Sequence, residues 1–481
     1  MQDPAELDQQ FVWHPFTQMS DWMQREPIVI TRGEGAVLQD SRGREYLDAN
    51  SSIWTNLHGH NNPAINTAIT KQLGQISHSS ALGLANEPAS LLAAELLQAA
   101  NPVHSKDSIA ATQPALTKVF YSDDGSTAME VALKLGYEFS RRVKGIEQPR
   151  FLSLDGAYHG DTVGAVSLGH IDLFHKSYAG LLFETDKVMA PYCYRCPFNR
   201  AKPERADARL YRKCNWECVG QVEQKFENRK QTDKESYAAM VVEPLMQGAA
   251  GMIPQPTGWL NRVERIVRSH NALLIADEVM TGFGRARVPS EDDIALFACH
   301  EEGVQPDIMA LAKGLTGGYL PMAATLTTQP IFDAFLGRYE EFRTFFHGHS
   351  YTGNQLGSAA ARANLELLRN DASIQQRKAL AEEMKRQTER LWRIPQVGDI
   401  RQVGNVIGVE LVRNWQTREA FPLSERAGIR VCERMAEAGV LTRPIGNVIV
   451  VMPPYCTTGE QVEKIFAVFE SSLREVFGPA L

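Results

Sequence analysis

The sequence predicts an α/β protein with a mostly parallel β-sheet that is covered by helices on both faces. Short apolar runs alternate with helical patterns between residues 66 and 355. Buried parallel strands joined by helices produce this alternation. The strand candidates are the segments KVFYS, RFLSL, AAMVVEP, ALLIADE, IMALA and MAATLTT.

Helical patterns occupy the stretches between many of these strands. TAMEVALKLGYEFSRRV and GWLNRVERIVRSH are the clearest examples within the sheet region. An earlier helix has a marked start, because Asn86 can cap it, Pro88 falls in its first turn and ASLLAAELLQAA follows.

The order of patterns divides the chain into three regions. At 481 residues the chain is too long for one core, so more than one domain is expected. Residues 1–65 contain the hairpin-like segment GEGAVLQDSRGREYLDA, and residues 356–481 contain amphipathic helices with the strands IGVELV and VIVVMP. We predict that both chain ends form a smaller domain, and that residues 66–355 form the large domain with a cysteine-containing insert at 191–235.

Composition and charge exclude several classes of function. The chain is 43% apolar and 22% charged, and its net charge of −7 gives no electrostatic footprint for nucleic acid or an anionic membrane. The start, MQDPAELDQQ, has no secretory signal pattern, and no apolar run is long enough to span a bilayer. We therefore expect a cytoplasmic protein that binds neither membranes nor nucleic acid.

The stretch DIMALAKGLTGGYLP places Lys313 between an apolar run and a glycine-rich turn. One interpretation is a lysine that extends from a strand end towards water. The other is a lysine whose amine does covalent chemistry in a dry site. The segment alone leaves both interpretations open.

Other chemically capable side chains also follow predicted strands. Asp277 ends ALLIADE, Gly125 and Ser126 open a helix after KVFYS, and Tyr158 comes soon after RFLSL, followed by His159. A structural ion pair, a helix cap and a turn anchor are the alternative interpretations. Because ligands bind at the carboxyl ends of parallel strands, we expect these residues to meet at one edge of the sheet.

Together these residues match what pyridoxal phosphate requires. A desolvated lysine forms a Schiff base with the aldehyde, and an aspartate keeps the pyridine nitrogen protonated. A helix N-terminus binds the phosphate, and an aromatic ring stacks on the pyridine. The combination predicts pyridoxal 5'-phosphate as cofactor, bound to Lys313.

The segment LLIADEVMTGFGR, followed by PDIMALAKGLTGGYLP, resembles the signature of the class III aminotransferases. The resemblance implies a fold-type I transferase with a seven-stranded sheet, small-molecule substrates and a homodimer. It assigns catalytic roles to Lys313, Asp277 and Tyr158. The cofactor-binding residues that it implies are Gly125, Ser126, Tyr158, Asp277, Val279 and Lys313, with His349 and Ser350 of FFHGHSYTGN reaching the neighbouring subunit's phosphate.

Within that class, the segments WHPFTQM, SSIWTNLHGH, YHGDT and LTRPIGNVIVVMPP resemble the biotin-pathway members, the 7,8-diaminopelargonate synthases. Their acceptor is 8-amino-7-oxononanoate, and Arg443 would hold its carboxylate through a guanidinium fork. The substrate-binding residues that this resemblance implies are Phe16, Trp54, Tyr158, Lys313, Gly348 and Arg443.

The sequence leaves two candidates for the amino donor: lysine and S-adenosylmethionine. Members that use S-adenosylmethionine typically carry a tyrosine where this chain has Phe16 and a tryptophan pair where it has Ile53–Trp54. They also carry a tyrosine near the position of Val450. These departures favour the lysine-dependent branch.

Four cysteines lie in the insert as Cys193-x2-Cys196 and Cys214-x3-Cys218. Thiolates at this spacing can hold zinc or an iron–sulfur centre, and the alternative is a surface loop with reduced thiols. We predict no metal, with this cluster as the candidate if one binds.

Three other functions remain as alternatives. Another class III ω-aminotransferase would act on 4-aminobutyrate or a polyamine, and an aminomutase on the same fold would need no external donor. A regulator that binds pyridoxal phosphate should carry a basic DNA-binding segment, which this sequence lacks.

Overall fold

The computed structural model describes residues 3–101, 114–169, 171–233, 235–290 and 293–478. Within these ranges the α-helices are α1 (Pro4–Phe11), α2 (Met19–Trp22), α3 (Ser51–Trp54), α4 (Pro63–Leu73), α5 (Glu87–Ala100), α6 (Gly125–Arg142), α7 (Val163–Leu168), α8 (Asp172–His175), α9 (Ala208–Tyr211), α10 (Glu217–Asp233), α11 (Trp259–Ser269), α12 (Gln329–Asp333), α13 (Gln355–Arg369), α14 (Asp371–Thr388), α15 (Ala427–Glu437) and α16 (Gly459–Phe477).

The strands in the same ranges are β1 (Ile30–Glu34), β2 (Val37–Asp40), β3 (Glu45–Asp48), β4 (Leu116–Ser122), β5 (Phe151–Leu154), β6 (Asp186–Val188), β7 (Ala239–Val242), β8 (Met246–Gln247), β9 (Ile253–Pro254), β10 (Leu273–Asp277), β11 (Ile308–Leu311), β12 (Ala323–Thr328), β13 (Val397–Val403), β14 (Val406–Asn414), β15 (Glu419–Ala420), β16 (Val440–Leu441), β17 (Pro444–Ile445) and β18 (Val448–Val451).

The large sheet of the described residues has seven strands in the order β4-β12-β11-β10-β7-β5-β6. All pairings are parallel except those of β12, which runs antiparallel to both of its neighbours. The prediction of a mostly parallel seven-stranded sheet is therefore confirmed. The six strand candidates all lie in it, and β6 is the strand that the sequence analysis did not identify.

Helices cover the two faces of this sheet, as the apolar strands require. Leu273 and Ile275 of β10 pack with residues of α6 on one face, whereas Leu274 packs with Trp259 of α11 on the other. Every residue of β7, β10 and β11 is buried. Two-sided burial explains why these strands are apolar throughout rather than alternating.

Local capping fixes where the helices begin. Asp124 and Thr127 form a capping box at α6, in which the Asp124 carboxylate accepts from the Thr127 N–H at 3.0 Å. Asn86 accepts from the Ala89 N–H at 2.9 Å and so caps α5, as predicted. The α6 cap matters most, because it holds the helix N-terminus at the end of β4.

A second set of strands joins the two ends of the chain. β3 from the N-terminal region pairs in parallel with β16 from the C-terminal region, in a sheet ordered β1-β2-β3-β16. A further sheet has the order β13-β14-β18-β17. This pairing supports the predicted α+β domain from both chain ends, and the boundaries at 65/66 and 355/356 stay predictions.

A buried charge cluster ties these C-terminal strands to the loop between β8 and β9. Arg401 of β13 is fully buried and pairs with Glu410 at 2.7 Å and Asp399 at 3.1 Å. Its guanidinium also donates to the carbonyl oxygens of Met252 at 2.8 Å and Gly251 at 2.5 Å. Because that loop approaches the carboxyl edge of the large sheet, Arg401 helps to set its position.

No helix within the described ranges combines the length and apolarity needed to cross a bilayer.

Candidate active site

A cavity of about 430 Å³ lies at the carboxyl edge of the large sheet. It forms where β4, β5, β7, β10 and β11 end, which is the edge at which the sequence analysis expected ligand binding. The structure brings seven of the predicted site residues to its wall: Trp54, Gly125, Ser126, Tyr158, Asp277, Val279 and Lys313.

Lys313 opens a short 3₁₀ turn directly after β11, and its backbone has φ +44°. A positive φ is unfavourable for a residue with a Cβ and costs about 1–3 kcal/mol, a strain that proteins retain mainly at functional sites. Burial lowers the pKa of the Lys313 amine, and the charges of Asp277 and Glu243 oppose that shift only in part. A larger neutral fraction makes this amine a better nucleophile.

The glycines after Lys313 allow a close backbone approach. Gly318 has φ +86°, and a Cβ at this position would lie 2.6 Å from the backbone nitrogen of Asn56. No side chain fits there, so the glycine-rich turn is required to seat Lys313 against the segment that carries Trp54.

Asp277 ends β10 and is only 4% exposed. Its Oδ1 accepts from the Val279 N–H at 3.0 Å, and its Oδ2 lies 2.7 Å from Nδ1 of His159. These two partners fix the carboxylate at the cavity wall. A fixed carboxylate here can pair with a cationic ring nitrogen.

Two buried ionisable residues of the cavity wall were missing from the predicted site: His159 and Glu243. His159 was noted after its strand but received no role, although it holds Asp277. Glu243 directly follows the apolar strand β7, which is the same signal that identified Asp277. The segment VVEP could therefore have revealed it.

Gly125 and Ser126 form the N-terminus of α6 at one end of the cavity. A Cβ on Gly125 would lie 2.8 Å from Cγ1 of Val279, so only glycine lets the helix end approach this closely. The first N–H groups of a helix have no intrahelical partner and carry a positive dipole end. This cradle fits a phosphate.

Tyr158 lines the cavity, and contacts with Asp161 and His175 hold its ring in place. Its hydroxyl donates to Oδ2 of Asp161 at 2.7 Å, and its ring stacks on that of His175 with centroids 6.1 Å apart and planes inclined by 9°. Burial, the hydrogen bond to Asp161 and nearby carboxylates raise the pKa of Tyr158, so the phenol stays neutral. A neutral, fixed ring suits stacking on a planar ligand.

Trp54 reaches the cavity from an unusual turn, α3, whose four residues all have positive φ between 46° and 68°. Asp48 holds this turn by accepting from the Ser52 N–H at 3.1 Å, while the Ser51 hydroxyl donates to the Met452 carbonyl at 2.7 Å. The indole N–H of Trp54 donates to Asn50 at 2.8 Å. The turn thereby places the Trp54 ring 4.8 Å from Nζ of Lys313.

Five predicted residues do not line the cavity in this single chain. Phe16 is 58% exposed and packs edge-on against Phe174, with centroids 5.3 Å apart. His349 lies outside the cavity wall, with Nδ1 3.3 Å from Oδ2 of Asp123, which is itself part of that wall. The roles given to these five stay predictions: Phe16, Gly348, His349, Ser350 and Arg443.

The cysteine insert has the character of reduced thiols. Burial raises the pKa of Cys193 to about 12 and that of Cys218 to about 11, so both thiols are protonated at neutral pH. In the part of the chain that the structure describes, no group of three or more histidine, cysteine, aspartate or glutamate residues is arranged to hold a metal ion. The prediction of no metal, with Cys193, Cys196, Cys214 and Cys218 as the candidate ligands if one binds, stays a prediction.

Fold and cavity together define a transferase that works with pyridoxal phosphate, because each part of the cofactor has a fitting group. The amine of Lys313 fits the aldehyde, the carboxylate of Asp277 fits the ring nitrogen, and the N-terminus of α6 fits the phosphate. Tyr158 and Val279 also line the cavity and would supply apolar surface to the ring.

Comparison with known proteins identifies the family. The family model described as aminotransferase class-III matches residues 19–473, and the chain belongs to this family. It is 45% identical to the adenosylmethionine-8-amino-7-oxononanoate aminotransferase of Geobacter sulfurreducens, over 98% of this chain and 97% of that relative.

Solved structures agree with this assignment. The crystal structure of adenosylmethionine-8-amino-7-oxononanoate aminotransferase from Methanocaldococcus jannaschii matches with a TM-score of 0.86 and 36% identity, covering 98% of each chain. A PLP-bound amine transaminase from an uncultivated Pseudomonas species matches with a TM-score of 0.83 and 29% identity, over 96% of this chain and 98% of that one. The cofactor of this aminotransferase is pyridoxal phosphate.

Proposed function

We propose that this aminotransferase transfers an amino group to the keto carbon of 8-amino-7-oxononanoate and so forms 7,8-diaminononanoate. The observation that carries the acceptor is the 45% identity, over nearly the whole chain, to a relative whose name contains this compound. The reaction takes place in two half-reactions: the donor gives up its amino group and leaves in deaminated form before the acceptor binds.

Each residue of the site would have a separate role in this reaction. Bound pyridoxal phosphate supplies an aldehyde that exchanges amino groups and a ring that accepts electrons from the substrate carbon. Lys313 would hold the aldehyde, Asp277 would face the ring nitrogen, and Gly125 with Ser126 would hold the phosphate. When it is not holding the cofactor, the Nζ of Lys313 would take a proton from the substrate carbon and return one. The Trp54 ring lies 4.8 Å from this amine and would limit the access of water.

Two donors compete in this proposal. The relatives' printed names favour S-adenosylmethionine. The residues Phe16, Ile53 and Val450 favour lysine, because they remove aromatic and polar groups from the expected donor pocket. The first half-reaction decides between the two, since each donor can be offered alone.

In the test, the purified holoenzyme is mixed with each donor separately. The visible absorbance of the bound cofactor is recorded. We expect one donor to bleach this band, and 8-amino-7-oxononanoate to restore it with formation of 7,8-diaminononanoate. 4-Aminobutyrate and a diamine serve as competing substrates. A chain that reacts with either of them faster than it aminates 8-amino-7-oxononanoate would overturn the proposed acceptor in favour of another ω-aminotransferase.

We infer further that two copies of the chain form a homodimer. Large apolar side chains are exposed in the segment that carries His349, including Tyr339 at 90%, Phe346 at 74% and Phe342 at 65%. A partner that covers this segment would bury them, and it would bring His349 and Ser350 to a neighbouring site. Light scattering should give twice the mass of 53.5 kDa, and Phe346→Asp should weaken the dimer. The cytoplasmic location stays a prediction.

A further inference from the structure

Two buried side chains that the mechanism above does not use, Asn364 and His58, hold the turn that carries Lys313. Asn364 lies in α13 and is fully buried, and His58 is 8% exposed. The Nδ2 group of Asn364 donates to the carbonyl oxygens of Gly314 at 2.8 Å and Leu315 at 3.0 Å. Because these two residues directly follow Lys313, the amide of Asn364 is bonded to the backbone that places the lysine.

His58 determines how the Asn364 amide is oriented. Its Nε2 lies 2.9 Å from Oδ1 of Asn364. Since the Nδ2 group of Asn364 faces two carbonyl oxygens, Oδ1 is the acceptor in this bond and His58 is the donor. Burial lowers the pKa of His58 to about 4, so the imidazole is neutral, and the bond requires its proton on Nε2. A flipped amide would turn an oxygen towards two carbonyl oxygens and lose all three bonds.

The turn needs this support because its backbone is strained. Lys313 has φ +44°, and a non-glycine residue in this conformation relaxes unless its surroundings hold it. The Leu57 N–H donates to the carbonyl of Gly317, the residue after the turn, at 3.2 Å. A Cβ on Gly317 would lie 3.3 Å from Oδ1 of Asn364. The turn is therefore in contact both with α13 and with the segment that carries His58.

The two supporting side chains come from opposite ends of the chain. His58 belongs to residues 1–65 and Asn364 to residues 356–481, the two regions that are predicted to form the small domain. Neither side chain is part of the cavity wall that the described residues form. Any effect of these residues on the reaction therefore passes through the backbone that follows Lys313.

We propose that Asn364 and His58 are positioning residues, which keep the amine of Lys313 at the place where the cofactor aldehyde binds. Asn364 acts through the carbonyls of Gly314 and Leu315, and His58 acts through Asn364. The inference rests on the proposed role of Lys313 and is independent of the donor and the acceptor. A displacement of a reacting group by about 1 Å can lower a rate by about 10²-fold, which sets the size of the expected effect.

The first measurement is amide hydrogen exchange in the apoenzyme, read by mass spectrometry in the peptide that contains residues 313–317. Asn364→Leu keeps nearly the size and shape of the side chain but removes its hydrogen bonds. We expect the amides of this peptide to exchange about tenfold faster than in the wild type, because the turn loses two hydrogen bonds. Exchange in β7 and β10 should stay as it is in the wild type. Equal exchange of residues 313–317 in both proteins would refute the inference.

The second measurement is the rate at which Lys313 captures the cofactor. Apoenzyme is mixed with pyridoxal 5'-phosphate, samples are reduced with borohydride at intervals, and the label on Lys313 is quantified by peptide mapping. Asn364→Leu and His58→Leu should lower this rate by about 10²-fold. His58→Gln, whose side-chain amide can still donate to Asn364, should restore most of it.

The outcomes separate this inference from the proposed role of Lys313. A wild type without label on Lys313 would overturn the role of the lysine itself. A labelled wild type with an equal labelling rate in Asn364→Leu would leave that role intact and overturn the positioning by Asn364. Equal rates in His58→Leu and His58→Gln would overturn the part given to His58.

Asn101→Leu is the matched control. The Nδ2 group of Asn101 also donates to two backbone carbonyl oxygens, those of Leu97 and Leu116, each at 2.8 Å, and its Oδ1 accepts from the Leu116 N–H at 2.9 Å. These bonds lie at the start of β4, whereas the cavity lies where β4 ends. Asn101→Leu should lower the melting temperature and leave exchange and labelling at residues 313–317 unchanged.

Equal slowing of the labelling in Asn101→Leu and Asn364→Leu would show a general loss of stability and refute the inference. If Asn364→Leu does not fold, the comparison of His58→Leu with His58→Gln decides, because these two variants differ in the donor to Asn364.

Discussion

Replacing Asp277 by Asn removes the negative charge of the side chain and keeps its size and shape. The side-chain oxygen of Asn can keep the bond from the Val279 N–H, now 3.0 Å long. The new amide group would face Nδ1 of His159, which is 2.7 Å from the present Oδ2 and can accept in its other tautomer. The cavity should therefore keep its form, and what is lost is one negative charge beside the ring nitrogen.

The size of the effect follows from that charge. Opposite charges at a hydrogen-bonding distance of about 3 Å attract by roughly 5 kcal/mol at an effective dielectric constant of about 20. Each 1.36 kcal/mol corresponds to about a tenfold change in rate. Because Asn keeps a polar contact with the ring, we expect Asp277→Asn to lower kcat/KM by about 10³–10⁴-fold.

The assay measures kcat/KM and the rate of a single half-reaction by stopped-flow absorbance. Glu278→Gln, a change in the adjacent and equally buried carboxylate, should leave both rates within about tenfold of the wild type. A cofactor analogue methylated on its ring nitrogen is permanently positive and should recover part of the activity of Asp277→Asn. Near-native rates in Asp277→Asn with the normal cofactor would refute the assignment of Asp277 to the ring nitrogen.

Three further changes test other parts of the structure. Lys313→Ala should reduce turnover by at least about 10⁴-fold and abolish borohydride-dependent labelling of the chain, while cofactor still binds non-covalently; labelling at another lysine would contradict the assignment. Arg401→Met leaves buried Asp399 without its cation and Glu410 with Arg195 alone, and it should cost about 3–5 kcal/mol in thermal or urea unfolding. The matched change at exposed Arg413 should cost at most about 1 kcal/mol. Glu243, with its pKa raised to about 7 from the ordinary 4.5, binds a proton in the folded state that the unfolded state has lost. Stability should therefore fall by up to about 3 kcal/mol as pH rises from about 4.5 to 7, and melting curves of Glu243→Gln should lack this fall.

The sequence predicted the parts of the fold that depend on local pattern. Apolar runs located the six main strands, and the position of a polar residue after such a run located Asp277 and Lys313 at a common edge. β6 was missed because its three residues, DKV, form no apolar run. The sequence analysis did not select Glu243, although this residue follows an apolar strand as Asp277 does. No group of the cofactor had been assigned to Glu243.

Other features depend on contacts between distant segments, which periodicity does not encode. The residues SSIW have no intrinsic preference for positive φ, and the turn that they form depends on anchors such as Asp48 and the carbonyl of Met452. Likewise, His349 and Arg443 lie outside the cavity wall of a single chain, and their predicted roles concern a ligand and a second subunit.

The left-handed turn at Ser51–Trp54 bears on how this protein could be re-engineered. Non-glycine residues in this conformation each cost about 1–2 kcal/mol, and the hydrogen bonds of Asp48 and Ser51 hold them there. Weakening an anchor would free the backbone to relax and carry the indole away from the lysine. Laboratory evolution towards bulkier amines should therefore select changes at Asp48 or Ser51 as readily as at Trp54 itself.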